Sequence, residues 1–289
     1  MDVTSYLLGK QSGGGSEINN QNKNVTITEN GTTTVSADAG YTGLGTVGIT
    51  TNVSGGDVSE YFNMSIAGGS STWKNILKKY PSPITITGTS VGYTFTDYNL
   101  TELPTINVDS SVTILNYLFY SCKGPTTIDI SNFNTPSLAA VSNMFAGCEN
   151  VTTIIFGNNF VTNAVLNFSS MFSNCNKLET LDLSMFDFTT GNYMTGMFQM
   201  CESLKNLTFG INFGKGYDTS KSANYSRYTL DLSASTLLTH DSLMSVINGL
   251  YDIASAGVQS QQLILGATNL AKLSQAEIDI ATNKGWTVS

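Results

Sequence analysis

Apolar side chains recur through the middle of the chain in a double rhythm. Four copies of an apolar-Phe-x-x-Cys unit stand at Leu118-Phe119 with Cys122, Met144-Phe145 with Cys148, Met171-Phe172 with Cys175 and Met197-Phe198 with Cys201. Three residues ahead of each unit sits another apolar side chain: Leu115, Val141, Phe168 or Met194. The i, i+3, i+4, i+7 spacing predicts one stripe of an α-helix about two turns long. Six and eight residues after each cysteine come Ile128/Ile130, Ile154/Phe156, Leu181/Leu183 and Leu207/Phe209. That period-2 alternation predicts a short strand with one buried face. Pro125, Val151, Leu178 and Leu204 occupy the bend between the two patterns. Each rung therefore reads helical turn, bend, strand, loop.

One rung cannot bury its apolar stripe alone. Stacking rungs joins the strands into a parallel sheet and the stripes into one core. The pairs Ile106/Val108 and Leu230/Leu232 read as degenerate rungs in register with the rest, giving a solenoid over 105–232. Ahead of it, Val25, Ile27, Val35, Leu44, Val47, Ile49 and Val53 alternate around Asn30-Gly31, which suits a tight hairpin turn. This predicts a small β module over 17–56. Residues 57–104 read as the N-terminal cap, with a short helix from Thr72 to Lys79 and β structure restarting at Ile84. Residues 1–16 read as an anchor peptide and a Gly-rich linker.

Over 233–289 the rhythm changes to a compact α/β piece that would close the open end. Leu243, Ile247, Leu250 and Ala254 share a helix face, widened by Met244 and Tyr251. Leu263 to Leu265 gives a strand, Ser274 to Glu277 a capping box that opens a last helix, and Trp286 to Val288 a final strand. The fold class expected is thus an α/β solenoid with a parallel sheet, a small β module before it and an α/β cap after it.

Composition narrows the function. Only 12% of the residues are charged and the net charge is −8 with 13 basic residues, so the basic footprint that nucleic acid needs is missing. No apolar run approaches the ~18 residues of a membrane span, and Met1 to Lys10 lacks the basic and apolar regions of a secretory signal. The cysteines are 26, 27 and 26 residues apart, each at the same place in a rung. Four buried free thiols fit this best; a disulfide framework or a metal cluster is the alternative, without any Cys-x-x-Cys pair to favour it.

Two resemblances follow from particular phrases. Met171 to Leu183 (MFSNCNKLETLDL) and Met144 to Cys148 (MFAGC) resemble the BspA-like leucine-rich repeats, strongly from Val112 to Gly210 and weakly on either side. Those repeats occur in bacterial surface proteins and in structural proteins of bacteriophages. The resemblance implies a solenoid and a recognition role, without specifying a partner. The β-module segment VTITENGTTTVSADAGYTGLGTVGITTNV looks like a module of tail and fibre proteins of phages infecting Gram-positive-type hosts. With no secretory signal or cell-wall sorting sequence expected, the two favour a virion fibre or receptor-binding protein. A head-fibre or decoration protein and a bacterial surface adhesin are the alternatives. Other virion proteins, bound through the N-terminus, and a host cell-surface glycan or protein are the expected partners, and a homo-oligomer is compatible, although no heptad run is long enough for a coiled coil.

Candidate sites lie where the repeat is polar or interrupted. Val3, Tyr6, Leu7 and Leu8 form the apolar part of the anchor peptide, assigned to virion attachment. The outward column of the strands reads Asn107, Asp129, Ile155, Asp182, Thr208 and Asp231, flanked by Thr127, Thr153, Thr180 and Asn206. Short polar groups on a rigid sheet suit hydrogen bonding to a glycan or a loop, with Asn107, Asp129, Asp182 and Thr208 as the ligand-binding candidates. Gly210 to Tyr228 reads as a polar insertion that replaces a helical stripe, and carries Tyr217, Tyr225, Tyr228 and Arg227, the chain's one arginine. Catalysis is not expected. The one histidine, His240, follows Thr239 at a helix start with no nucleophile tied to it. Asp129 and Asp182, two strands apart, stand ~10 Å from each other, slightly beyond the separation of an inverting carboxylate pair. No cofactor or metal is expected.

Overall fold

The computed structural model describes residues 101–103, 105–216, 229–257 and 259–289 throughout, with strands 23–27, 32–37, 48–52 and 84–87 and residues 90, 91 and 95. Strands β1 (Lys23–Ile27), β2 (Thr32–Ala37), β3 (Gly48–Asn52), β4 (Ile84–Thr87) and β5 (Ile106–Val108) form one sheet in that order. Its first three pairings are antiparallel and the last, β4 with β5, is parallel. A second sheet, parallel throughout, stacks β6 (Thr127–Ile130), β7 (Thr153–Phe156), β8 (Thr180–Asp182) and β9 (Asn206–Thr208) in chain order. A third pairs β10 (Thr229–Asp231), β11 (Gln262–Ile264) and β12 (Thr287–Val288), also parallel. Three helices accompany it: α1 (His240–Gly249), α2 (Gly266–Leu270) and α3 (Gln275–Asn283). The expected repeat architecture of short parallel strands in a mixed α/β chain is present.

The predicted helical stripe is not a helix. Each Phe-Cys segment is a pair of tight turns, closed by Leu118 N–H to the Leu115 carbonyl and by Cys122 N–H to the Phe119 carbonyl in the first rung. The third residue of each turn is left-handed: Tyr117 and Ser121, Asn143 and Gly147, Ser170 and Asn174, Gly196 and Met200. Alternate amides then bond across rungs, Leu115, Tyr117, Phe119 and Ser121 donating to Ala140, Ser142, Met144 and Ala146. A helix would consume those amides internally; the turn pair frees them to join each rung to the next. Both conformations bring positions i, i+3, i+4 and i+7 to one side, so the apolar spacing did not discriminate.

The core runs the length of the stack. Ring centroids of Phe95, Phe119, Phe145, Phe172 and Phe198 follow one another at 5.2, 5.6, 5.7 and 5.7 Å, each pair stacked. Phe95 and Val91 supply a rung ahead of the four visible by motif: their amides donate to Leu118 and Ile114. All four cysteines are free and buried. The bend residues Pro125, Val151, Leu178 and Leu204 are also buried. Close stacking fixes Gly157 and Gly210, where a Cβ would lie 1.9 Å from the Ser131 carbonyl oxygen and 2.2 Å from that of Phe186.

The ends of the stack depart from the expected register. Val108 bridges Phe133 instead of extending the β6 column, so β5 belongs to the neighbouring side of the rung. Strand β10 pairs with β11 and not with β9. Helix α1 stands where the next strand was expected. Thr239 N–H bonds the Lys205 carbonyl in the register by which Lys205 bonds Glu179, and the edge amides of Leu207 and Phe209 donate to Ser242 and Ser245 Oγ, each at 2.9 Å. The helix is shorter than its apolar face predicted. It stops at Gly249, because Leu250 turns extended and Gly249 and Tyr251 bracket Phe213 with backbone hydrogen bonds. Ala254 is exposed and lies outside the helix.

Candidate functional site

The outward face of the four-stranded sheet is built by alternation. Thr127 and Asp129 point out while Ile128 and Ile130 point in, and the other strands repeat this with Thr153/Ile155, Thr180/Asp182 and Asn206/Thr208 outward. Backbone register brings Asp129 opposite Ile155, and Asp182 opposite Thr208. Asn107 and Asp231 do not join this column. Asn107 pairs with Thr85 and is half-buried, and Asp231 pairs with Ile264 in the third sheet. Ile155 is 42% exposed, an apolar contact between two acidic rungs.

The aspartates serve their own turns. Asp129, Asp182 and Asp231 each accept the backbone N–H two residues on, from Ser131, Ser184 and Ser233 at 2.8, 2.9 and 2.9 Å. Asp109 does the same with Ser111. This Asp-x-Ser device recurs at strand ends and is legible in the sequence as a repeated three-residue spacing. Lys123 and Glu149, and Lys205 and Glu179, form ion pairs across rungs at 2.7 and 3.1 Å, while Lys177 bonds Asn150 Oδ1. Being exposed, these pairs contribute little to stability.

The predicted insertion is partly structural. Ile211 bridges Asp187 and Phe213 bridges Leu250, so 210–216 belongs to the stack and Phe213 is fully buried. Asp187 accepts from Thr189 N–H, Thr189 Oγ1 and Asn212 Nδ2 at 2.9, 2.5 and 3.0 Å. Partial burial pushes its carboxyl up, but those hydrogen bonds and the charge of Lys215 outweigh it and hold the group below the usual range. Lys215 Nζ stands 5.5 Å from the Tyr251 ring centroid. The remaining insertion candidates, Tyr217, Tyr225, Arg227 and Tyr228, and the attachment candidates Val3, Tyr6, Leu7 and Leu8, lie outside the described residues.

Titratable groups elsewhere have structural partners. Cys148, Cys175 and Cys201 Sγ donate to the carbonyls of Phe119, Phe145 and Phe172 at 3.1, 3.2 and 3.1 Å. Burial pushes the Cys122 and Cys201 thiols far up, and a hydrogen bond with Cys148 together with burial does so for Cys175. None of these three is a thiolate nucleophile at neutral pH. His240 opens α1 after the cap Thr239, with Nε2 at 2.8 Å from Glu277 Oε1. Glu277 Oε2 also accepts the Ser274 N–H and hydroxyl, completing the capping box of α3. Those bonds and His240 hold the Glu277 carboxyl down at about 2, and the Glu277 carboxylate raises His240. At the other end of α1, Lys284 Nζ donates to the carbonyls of Ile247, Asn248 and Leu250, closing the helix terminus. Among the described residues no group of three or more His, Cys, Asp or Glu gathers to hold a metal ion, and no helix is long and apolar enough to cross a membrane.

Residues 98–232, a little under half of the chain and the span of the stacked rungs, match the family described as "Mycoplasma protein of unknown function, DUF285". The match is consistent with the BspA-like repeats read from MFSNCNKLETLDL and its counterparts. Neither the curated proteins nor the solved structures yield a match.

Proposed function

We propose that this chain is a recognition protein and not an enzyme, a bacteriophage fibre or receptor-binding protein whose N-terminal segment attaches it to the virion. The solenoid then faces the host, and the segment from α1 to β12 caps its far end. One observation carries the reading: the phenylalanines and cysteines that look like chemistry are sealed in the core, while the outward sheet face presents a flat array of Thr, Asn, Asp and Ile at a fixed pitch. Rigid, regularly spaced polar groups suit binding to an extended surface, and no group on that face is prepared as a nucleophile. Cryo-EM and mass spectrometry of purified virions test this. Copies of the chain should project from the particle; particles without it would refute the assignment.

The likeness to a Mycoplasma family favours a bacterial surface adhesin, in which case the chain should be found on intact cells by surface proteolysis. A head-fibre or decoration protein without a receptor would adsorb normally after deletion of 217–228. Phe213, buried in the stack, lies outside the deleted segment.

A further inference from the structure

Helices α1 and α3 pack against each other and are tied at both ends. Where they end, Lys284 Nζ, just past α3, donates to the carbonyls of Ile247, Asn248 and Leu250 at 2.9, 3.0 and 2.9 Å. Burial draws that ammonium down from a lysine's ordinary value, which lies about four units above a histidine's. Where the helices begin, the tie is a different one. It is made by the chain's one histidine, His240, the first residue of α1, and by Glu277 in the first turn of α3. The two ties therefore titrate in different ranges.

Both ring nitrogens of His240 face carboxylate oxygens. Nε2 stands 2.8 Å from Glu277 Oε1 and Nδ1 3.4 Å from Asp241 Oδ1. A neutral imidazole carries one N–H and can donate to only one of them, whereas the imidazolium donates to both. Glu277 is held in place for this, because its Oε2 accepts the N–H and the hydroxyl of Ser274. The cations of the adjoining segments are engaged elsewhere. Lys272 Nζ is spent on the carbonyls of Thr236 and Leu238, and Lys205 on Glu179. Asp279, further along α3, accepts from Gln275. The positive end of the α1 dipole opposes a charge on its first residue, but it amounts to roughly half a charge against two carboxylates.

We propose that His240 is a pH-operated clasp: protonated, it locks the start of α3 onto the start of α1, and deprotonated, it releases that end while Lys284 keeps the other. Helix α1 stays in place throughout, since Ser242 and Ser245 hold it on β9. The two partners set the window. The Ser274 bonds, with His240, hold Glu277 down at about 2, so its contribution is complete above the ordinary carboxylate range and is lost only as pH falls toward that value. The hydrogen bonds to Glu277 and Asp241 raise His240, so its contribution is complete below the ordinary histidine value of about 6.5 and is lost as pH rises through the raised one. The clasp is closed from about pH 4.5 to 6.5 and opens above neutrality.

An NMR titration of the full chain, with amide exchange read on the same samples, tests it. The single histidine should titrate above its ordinary value, and move back toward it in Glu277→Gln, where the glutamine still caps Ser274. Protection of the Ile278 and Asp279 amides, corrected for intrinsic exchange, should fall about two- to fivefold between about pH 5.5 and pH 8.5, the range of an exposed ion pair, while the Lys284 amide holds constant. His240→Gln should show the lower protection at both pH values and no step. A histidine titrating at its ordinary value, no step in the unmutated chain, the same step in His240→Gln, or an equal step at Lys284 would each overturn the proposal.

Discussion

At the scale of the residue, the Phe119 carbonyl shows how the repeat is knitted. It accepts Cys122 N–H within its own rung and Cys148 Sγ from the next, so both lone pairs of a buried oxygen are satisfied. Phe145 and Phe172 repeat the arrangement. The cysteine is thus a small core residue with one weak donor placed where a carbonyl needs it. The 26- and 27-residue spacing made buried free thiols readable, but the bonds that Cys148, Cys175 and Cys201 make were not, because nothing in a sequence fixes the direction of an Sγ–H. The consequence is chemical silence. A thiol-specific aromatic disulfide reagent should label none of the four cysteines in the native chain and all four after unfolding in guanidinium. Stoichiometric labelling of the folded chain would show that the rungs open.

At the scale of the element, the sequence conveyed which side chains face inward more reliably than which backbone carries them. Leu115, Leu118, Phe119 and Cys122 fit a helix and a turn pair equally, and only the Asn, Ser and Gly residues at positions 121, 143, 147, 170, 174 and 196 carried the left-handed signal. Val91 and Phe95 repeat the spacing of Leu115 and Phe119, so a fifth rung was legible without its cysteine. At the other end the TLDLS phrase of 180–184 recurs at 229–233 and suggested another strand of the same sheet. Its neighbours overruled it: β11 lies beside β10, and α1 covers β9. That cover blunts an edge otherwise open to pairing with another chain. Ser242→Ala with Ser245→Ala leaves two edge amides without acceptors, at a cost of about 1–3 kcal/mol each. Urea unfolding should show the loss, and a change below about 0.5 kcal/mol would mean that water serves those amides equally well.

At the scale of the whole molecule, function has to be sought in what the repeat leaves on its surfaces. The core was visible in the sequence because hydrophobic periodicity is a direct image of burial. The candidate column was visible only in part. Asp129, Ile155, Asp182 and Thr208 stand together as the alternation implied, but Asn107 and Asp231 are carried away by register changes at the ends. Every one of these surfaces depends on rungs stacking one step at a time along the phenylalanine ladder. A nuclear Overhauser experiment on the chain labelled at phenylalanine rings tests that stacking most directly. Phe119 should give contacts to Phe95 and Phe145, and Phe172 to Phe145 and Phe198, with none between Phe119 and Phe172. Ring contacts that skip a rung, or no contacts between successive rungs, would contradict the stack and every surface assigned to it.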